Sequence, residues 1–290
     1  MKDEEVEKLL EAGRILKKVV EEAVEKVKPG VKILDVAEFV EKRIVELGAK
    51  PAFPCNLSID SDAAHFTPKA GDERVFEEGS LVKLDVGVHV DGYIADMAVS
   101  VDLGDHREMI RAAKEACEAA VESVKAGTTT AELGKIIEET IRSYGYKPVV
   151  NLTGHGLLPY VVHAPPTVPN HSAAKGVELR EGMVIAIEPF ATDGVGRVAE
   201  RGECEIYSLI AAKPVRMKPA RQLIEKVLSE YRTLPFARRW INAPDIIVAR
   251  LVREGVFRAY PVLSEVSGGK VSQWEHTVIV EEGGCTVTTK

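Results

Sequence analysis

The chain has 290 residues, of which 45% are hydrophobic and 29% are charged, so it is long enough to bury a substantial core. Its formal net charge of −7 provides no overall attraction to nucleic acid or to an anionic membrane, and we expect neither DNA nor a membrane as a partner. The four cysteines form no C-x-x-C pair, which argues against a zinc ribbon and a disulfide framework. Without a signal-peptide pattern or a long apolar run, the sequence predicts a cytoplasmic protein.

Both helices and strands are predicted from the spacing of apolar residues. Helical spacing is found at 3–27, 34–47, 107–125, 130–144, 217–231 and 243–254. The strand patterns fall at 81–101, 148–153, 183–188, 206–212 and 271–289. This mixture of elements indicates an α+β fold.

An internal repeat organises these elements. The segment KPGVKILDVAEFVEKRIVELGAKP at 28–51 resembles KAGTTTAELGKIIEETIRSYGYKP at 125–148, and EEGSLVKLDVGV at 77–88 resembles REGMVIAIEPFA at 180–191. A repeat of roughly 100 residues is too long for a solenoid. It predicts two similar half-domains, at about 28–105 and 125–200, packed around a pseudo-twofold axis. The alignment places Asp85 of the first half opposite Glu188 of the second.

The segment KLDVGVHVDGYIAD, residues 83–96, predicts a tight hairpin that carries two aspartates. Asp91-Gly92 is a strong signal for a two-residue type I′ turn, because both central positions need a positive φ. Counting outward from the turn places Asp85 and Asp96 on one face as diagonal neighbours. The other face is almost wholly apolar and is expected to pack into the core. Taken alone, the two carboxylates fit general acid–base chemistry, a metal site or an ordinary solvated face.

Three further residues favour metal binding. Glu188 in GMVIAIEPF and Glu275 in SQWEHTVIV accompany apolar strands, where an unpaired buried charge is costly. His155 in NLTGHG lies between glycines that allow close backbone approach. Four carboxylates and one imidazole match two divalent cations, and the oxygen-rich set suits manganese, iron or cobalt better than a structural zinc. Two such cations can activate a water and polarise a carbonyl, as a hydrolase requires.

These residues also carry a resemblance to a known family. The series Asp85, Asp96, His155, Glu188 and Glu275 resembles the dinuclear metal site of the pita-bread metallopeptidases, which include methionine aminopeptidases, prolidase and aminopeptidase P. The chain is most similar to type II methionine aminopeptidases in their short archaeal form, through the motifs KPAFPCNLSID, AAHFTP, KLDVGVHVDGYIAD, NLTGHG, AIEPFAT, TLPFARRW, AYPVL and QWEHTVIVE. The resemblance covers nearly the whole chain.

The resemblance implies an internally duplicated α+β fold, the pita-bread (creatinase/aminopeptidase) fold, with a helical insertion subdomain. The catalytic domain is predicted at 1–200 and 261–290, and the insertion at 201–260. Two helices are predicted between Glu188 and Glu275, where the type II proteins have their helical insertion.

The resemblance further implies a role for each ligand. Asp85 is expected to bind one metal ion, Asp96 and Glu275 to bridge both ions, and His155 with Glu188 to complete the second. Glu188 is also expected to pass the proton of the attacking water to the leaving amine. The implied cofactors are two divalent metal ions per chain, namely cobalt, manganese, iron or zinc.

Three other residues match substrate-contacting positions of the family. His65 in AAHFTP and His163 in VVHAPP match the histidines that contact the substrate and stabilise the tetrahedral intermediate. Phe53 in KPAFPC is expected to line the methionine pocket, although an aromatic residue between prolines also fits a core position. Pro165-Pro166 and Trp274 depart from the usual pattern, and their effect on activity is left open.

The implied function is metal-dependent removal of the initiator methionine from nascent chains, with a preference for a small second residue, by a monomeric enzyme. Two alternatives are an X-Pro-type exopeptidase, similar to prolidase and aminopeptidase P, and a non-catalytic pita-bread protein that binds peptide or RNA. The excess of basic residues at 216–240 fits contact with ribosomal RNA, but a solvated helical face is the favoured interpretation.

Overall fold

Two similar helix pairs precede the two main groups of strands. The computed structural model describes all 290 residues. The first pair is α1 (Asp3–Val24) and α2 (Ile33–Glu46), and the second is α3 (Arg107–Glu122) and α4 (Thr130–Ser143). These bounds confirm the helices expected from the apolar spacing. The start of α4 has a local cause, because Thr129 and Glu132 each accept the backbone N–H of the other in a capping box.

The strands follow each helix pair. The first group is β1 (Lys50–Pro51), β2 (Asn56–Ile59), β3 (Asp62–Ala64), β4 (Leu81–Val90) and β5 (Tyr93–Asp102). The second group is β6 (Lys147–Pro148), β7 (Thr153–Leu158), β8 (Val161–Pro169), β9 (Val184–Ile187), β10 (Phe190–Thr192) and β11 (Val198–Glu200). The remaining elements are β12 (Ile206–Leu209), α5 (Lys218–Glu230), β13 (Phe236–Ala237), a 3₁₀ turn (Arg238–Trp240), α6 (Asp245–Arg253), β14 (Phe257–Tyr260), β15 (Leu263–Glu265), β16 (Val271–Gln273), β17 (His276–Val280) and β18 (Cys285–Val287).

Two antiparallel sheets form the centre of the molecule. In the first sheet β4 pairs with β1, β2 and β5. The second has five strands in the order β18-β17-β9-β7-β8. The sheets meet where β5 approaches β17, and an isolated antiparallel bridge joins Ala98 to Glu275 at this point. The junction brings strands from distant parts of the sequence to one place.

The internal duplication is visible in the element bounds. Helices α2 and α4 have 14 residues each, and their first residues, Ile33 and Thr130, are 97 positions apart. Strands β1 and β6 begin at Lys50 and Lys147, which are separated by the same 97 positions. The duplicated α+β architecture expected from the repeat is confirmed.

The strands on either side of His155 differ from the prediction. The single strand expected at 148–153 is instead the end of β6 and the start of β7, with four residues between them that form no strand. Strand β8 was not expected, because Pro165, Pro166 and Pro169 interrupt its pattern. It lies at the edge of the five-stranded sheet, where a proline removes no ladder hydrogen bond.

The hydrophobic core is divided by the sheets. Helices α1 and α2 pack on the apolar face of β4 and β5, and helices α3 and α4 pack against the five-stranded sheet. A third cluster lies within 209–257 and is formed by α5, α6 and strands β12 to β14. The predicted insertion at 201–260 encloses this cluster, and its bounds stay a prediction. None of the helices combines the length and the apolar character needed to cross a membrane.

Candidate metal centre

The β4–β5 hairpin presents Asp85 and Asp96 on one face. Asp91 and Gly92 have φ angles of 50° and 92°, as a type I′ turn requires. The register pairs Asp85 with Ala98, which confirms the expected diagonal placement of the two aspartates. The backbone of Asp96 is held by Thr277 of β17, whose hydroxyl accepts the Asp96 N–H at 2.8 Å and donates to the Asp96 carbonyl at 2.8 Å.

His155 and Glu188 come from the second half of the chain. His155 lies in β7 opposite Ala186, two residues before Glu188. A β-carbon at either flanking glycine would overlap a neighbouring backbone carbonyl, so the close strand packing around His155 depends on both glycines. The His155 Nε2 atom is 3.5 Å from Glu188 Oε1 and 3.8 Å from Asp96 Oδ2. Residues from both halves therefore meet in one centre.

Glu275 completes the group. Its backbone N–H donates to the Ala98 carbonyl at 2.9 Å, which holds the segment between β16 and β17 beside β5. Ligand atoms of Asp96, His155 and Glu275 all lie within 4.8 Å of one another. Asp85 and Glu188 line the same cavity. The structure thus brings together all five residues that the sequence suggested as ligands.

The donor set fits a cation. The Oδ1 atoms of Asp85 and Asp96 and the Oε1 atom of Glu275 are buried and have no hydrogen-bond partner. A buried carboxylate oxygen without a partner is costly, and a divalent cation would supply the missing interaction. The chain therefore contains a buried cluster of aspartate, glutamate and histidine that can bind metal. The number and the kind of ions belong to the proposal below.

Burial, together with repulsion between the carboxylates, shifts the pKa values of the residues in this centre. Burial raises the pKa of Asp85 to about 7. Burial, and then repulsion from neighbouring carboxylates, raises the pKa of Asp96, Glu188 and Glu275 well above the usual range. Burial lowers the pKa of His155 to about 4, so its imidazole is neutral at pH 7 and free to act as a ligand.

The centre lies in a cavity of about 340 Å³ with an apolar wall. Phe53 is part of this wall, and its ring lies over Gly87, where any β-carbon would overlap it. Ile206, Pro235 and Tyr260 belong to the segment between β11 and β15 and form another part of the lining. The sequence pattern predicted no role for these three residues. Pro235 lies in TLPFARRW and Tyr260 in AYPVL, motifs without chemistry of their own, and Ile206 lies in neither.

The two non-ligand histidines line the same cavity. His65 has a φ of 66°, a left-handed conformation that is uncommon outside glycine and that occurs often at functional sites. Its Nδ1 atom donates to the Pro261 carbonyl at 3.3 Å. The ring of His163 packs edge-on against His155, with the centroids 4.7 Å apart. Burial lowers the pKa of both His65 and His163, which keeps both rings neutral at pH 7.

Two amides that the sequence analysis did not single out support the carboxylates. Asn56 Nδ2 donates to Asp85 Oδ2 at 3.4 Å, and Gln273 Nε2 donates to Glu188 Oε2 at 3.4 Å. The two amides hold one carboxylate from each half of the duplicated fold. Neither residue could be found from local pattern, because each reaches the centre only after its strand is paired.

The residues that depart from the family pattern lie outside the cavity. Pro165 and Pro166, joined by a cis peptide bond, line a separate groove that also contains Met1. Trp274 is partly buried between the two main hydrophobic clusters, and its indole N–H donates to His276 Nε2 at 3.4 Å. None of these three residues lines the metal cavity.

Comparison with known proteins identifies the fold and the family. The chain belongs to metallopeptidase family M24, whose profile matches residues 7–282. It is 69% identical to the methionine aminopeptidase of Archaeoglobus fulgidus, with 100% of each chain covered. The solved methionine aminopeptidase of Thermotoga maritima superposes with a TM-score of 0.75 at 25% identity, and the alignment covers 100% of this chain and 98% of that one.

A prolidase has the same fold. The solved prolidase of Pyrococcus furiosus superposes with a TM-score of 0.65 at 25% identity, and the alignment covers 100% of this chain and 64% of that one. The pita-bread fold and the family resemblance expected from the sequence are both confirmed. Peptide-bond hydrolysis with bound metal is the chemistry of this family.

Proposed function

We propose that this protein is a methionine aminopeptidase that removes the initiator methionine from nascent chains with a small second residue. The observation that carries the proposal is the convergence of Asp85, Asp96, His155, Glu188 and Glu275 at the base of a cavity that also contains His65 and His163. The 69% identity with a full-length methionine aminopeptidase supports the substrate class.

The proposed centre holds two divalent metal ions, with cobalt, manganese, iron and zinc as candidates. Asp85 would bind one ion, His155 with Glu188 the other, and Asp96 with Glu275 both. When bound, such ions lower the pKa of a water molecule and polarise the carbonyl of the scissile peptide. The orphaned oxygens of Asp85, Asp96 and Glu275 support this arrangement.

The residues of the chain supply the proton transfers and the positioning. Glu188 would accept a proton from the attacking water and deliver it to the leaving amine, as the family resemblance implies, and its Oε1 atom lies 3.5 Å from Nε2 of the neutral His155. His65 and His163 would contact the substrate carbonyl and stabilise the developing negative charge. Phe53, Ile206 and Tyr260 would enclose the methionine side chain and exclude water from the reacting bond.

We also infer the oligomeric state and the location of the enzyme, which acts as a monomer in the cytoplasm. The basic excess at 216–240 lends little support to ribosomal RNA as a partner, because four of its seven basic side chains have partners within the protein. Arg239 pairs with Glu41, Arg238 with Asp245 and Lys226 with Glu230, and Arg221 donates to the Arg216 carbonyl at 2.7 Å.

Methionine release tests the proposal directly. The peptide Met-Ala-Ser should lose its methionine in the presence of manganese, iron, cobalt or zinc, and an X-Pro dipeptide should not be cleaved. Asp96→Ala should abolish both turnover and metal binding, measured by elemental analysis. Asp105→Ala changes an exposed aspartate without partners and should leave both intact. Cleavage of the X-Pro dipeptide alone would favour a prolidase-like enzyme, and the absence of bound metal would favour a binding protein.

A further inference from the structure

Arg258 is the only lysine or arginine that lines the metal cavity. It lies in β14, two residues before Tyr260, so both side chains project from the same face of the strand. The facing strand β12 places Ser208 opposite Arg258, and the Ser208 hydroxyl is 3.1 Å from the Tyr260 hydroxyl. Arg258 is exposed, whereas Tyr260 is half-buried, so Arg258 lies at the mouth of the cavity and Tyr260 deeper inside.

The guanidinium of Arg258 has no partner within the protein. It takes part in none of the ion pairs or side-chain hydrogen bonds of the chain, in contrast to Arg238, Arg239 and Arg250 of the same region. The carboxylates of the centre make ion-pair contacts only with His155, so Arg258 forms no ion pair with a proposed metal ligand. The N–H donors of Arg258 are therefore available to a ligand at the mouth of the cavity.

The path of a substrate follows from the cavity. The amino terminus must reach the carboxylates at the base, and the first side chain must pack against the apolar wall. The rest of the peptide then has to leave through the mouth, past Arg258. A guanidinium has a planar set of N–H donors that matches the two oxygens of a carboxylate.

Resting on the proposed function, we propose that Arg258 is a specificity residue that binds a carboxylate on the leaving peptide. The carboxylate is either the side chain of an acidic residue that follows the second residue, or the terminal carboxylate of a dipeptide. An exposed pair of this kind changes binding by about two- to fivefold. The effect should appear in KM rather than kcat, because the contact is equal in the ground and transition states. It should weaken as salt is added.

Five substrates separate the two sources of the carboxylate. The amides Met-Ala-Glu, Met-Ala-Gln and Met-Ala-Lys differ only in the charge of the third side chain, and free Met-Ala differs from its amide only at the terminus. The wild type should prefer Glu over Gln and Gln over Lys, each by about two- to fivefold in kcat/KM, or should prefer free Met-Ala over its amide. Arg258→Glu should reverse the order, and Arg258→Gln should bring the ratios close to one.

Arg253→Glu is the matched control, because Arg253 is an exposed arginine outside the cavity and without an ion pair. It should keep the wild-type order of the substrates. A wild type without any charge preference would overturn the inference, and so would an equal loss of kcat/KM on all five substrates in Arg258→Glu.

Met-Ala-Gln amide distinguishes failure of this inference from failure of the function on which it rests. If the metal-loaded wild type releases methionine from it, only the role of Arg258 is at stake, and if it cleaves none of the five, the proposed function falls as well.

Discussion

Glu265 is a buried carboxylate that holds together the turn after β15. Its side chain accepts N–H groups from Val195 at 2.7 Å, from Ser267 at 2.7 Å and from Gly269 at 3.1 Å, and it accepts the Ser267 hydroxyl at 2.6 Å. Burial alone would raise the pKa of Glu265, but these hydrogen bonds outweigh burial and lower the pKa to about 2. The ionised form is therefore much more stable in the folded protein than in the unfolded chain.

This shift predicts a specific loss of stability in acid. The folded pKa of Glu265 lies below the unfolded value of about 4.3, so its contribution is complete above that pH and is lost as the pH falls toward 2. A shift of this size corresponds to about 2–4 kcal/mol in the free energy of unfolding. Urea unfolding of Glu265→Gln between pH 5 and pH 2 should show a shallower decline than the wild type. Parallel curves for the two proteins would contradict this role.

At the level of elements, one buried ion pair joins the predicted insertion to α2. Arg239 pairs with Glu41, and the Trp240 indole N–H donates to the same carboxylate at 2.8 Å. Glu41 also accepts the Cys55 N–H at 3.2 Å, so the pair reaches the segment that contains Phe53. The carboxylate thus links the insertion, the helix and one wall of the cavity.

Removal of Glu41 should therefore affect both stability and substrate binding. Glu41→Ala leaves the buried Arg239 without its charged partner, and we expect a loss of about 3–5 kcal/mol in the free energy of unfolding. The KM for a Met-Ala peptide should rise because Phe53 loses its support. Glu38→Ala, an exposed glutamate on the same helix, should change stability by less than about 0.5 kcal/mol. If the two substitutions change the free energy of unfolding equally, the contacts of Glu41 do not stabilise the fold.

The elements near the centre differ in how well the sequence predicts them. The hairpin was predictable because Asp91-Gly92 fixes the turn, and the turn fixes which residues face the same side. The role of Glu41 could not be predicted, because an acidic residue in an amphipathic helix normally faces solvent and its partners are far along the chain. The positions of Ile206, Tyr260 and Arg258 in the cavity could not be predicted either, because they depend on packing between distant segments.

At the scale of the whole molecule, the centre joins the two halves of the duplicated fold. Asp85 and Asp96 belong to the first half, His155 and Glu188 to the second, and Glu275 to the short segment between β16 and β17, which follows the predicted insertion. The repeat could be read from the sequence, and it placed Asp85 opposite Glu188. The position of Glu275 could not be deduced this way, because this segment lies outside the repeat.

A cation bound by residues from both halves should stabilise the entire fold. At a concentration of manganese about 100 times the dissociation constant, binding contributes about 2.7 kcal/mol, which corresponds to a rise in Tm of roughly 4–5 °C. Calorimetry with and without a chelator measures this difference. Glu275→Gln should abolish most of the shift, whereas Glu282→Gln, at an exposed position, should keep it. A full shift in Glu275→Gln would mean that the cation binds elsewhere.

The meeting of β5 with β17 also sets an order of events during synthesis. Chains emerge from the ribosome with the N-terminal part first, and domains fold as units. The hairpin with Asp85 and Asp96 emerges long before Glu275, and β17 can bind the Asp96 backbone only after the segment between them has been made. A growing copy of this protein therefore lacks one of its proposed bridging ligands until the ribosome has passed residue 275. Its proposed activity on other nascent chains would have to await the synthesis of that residue.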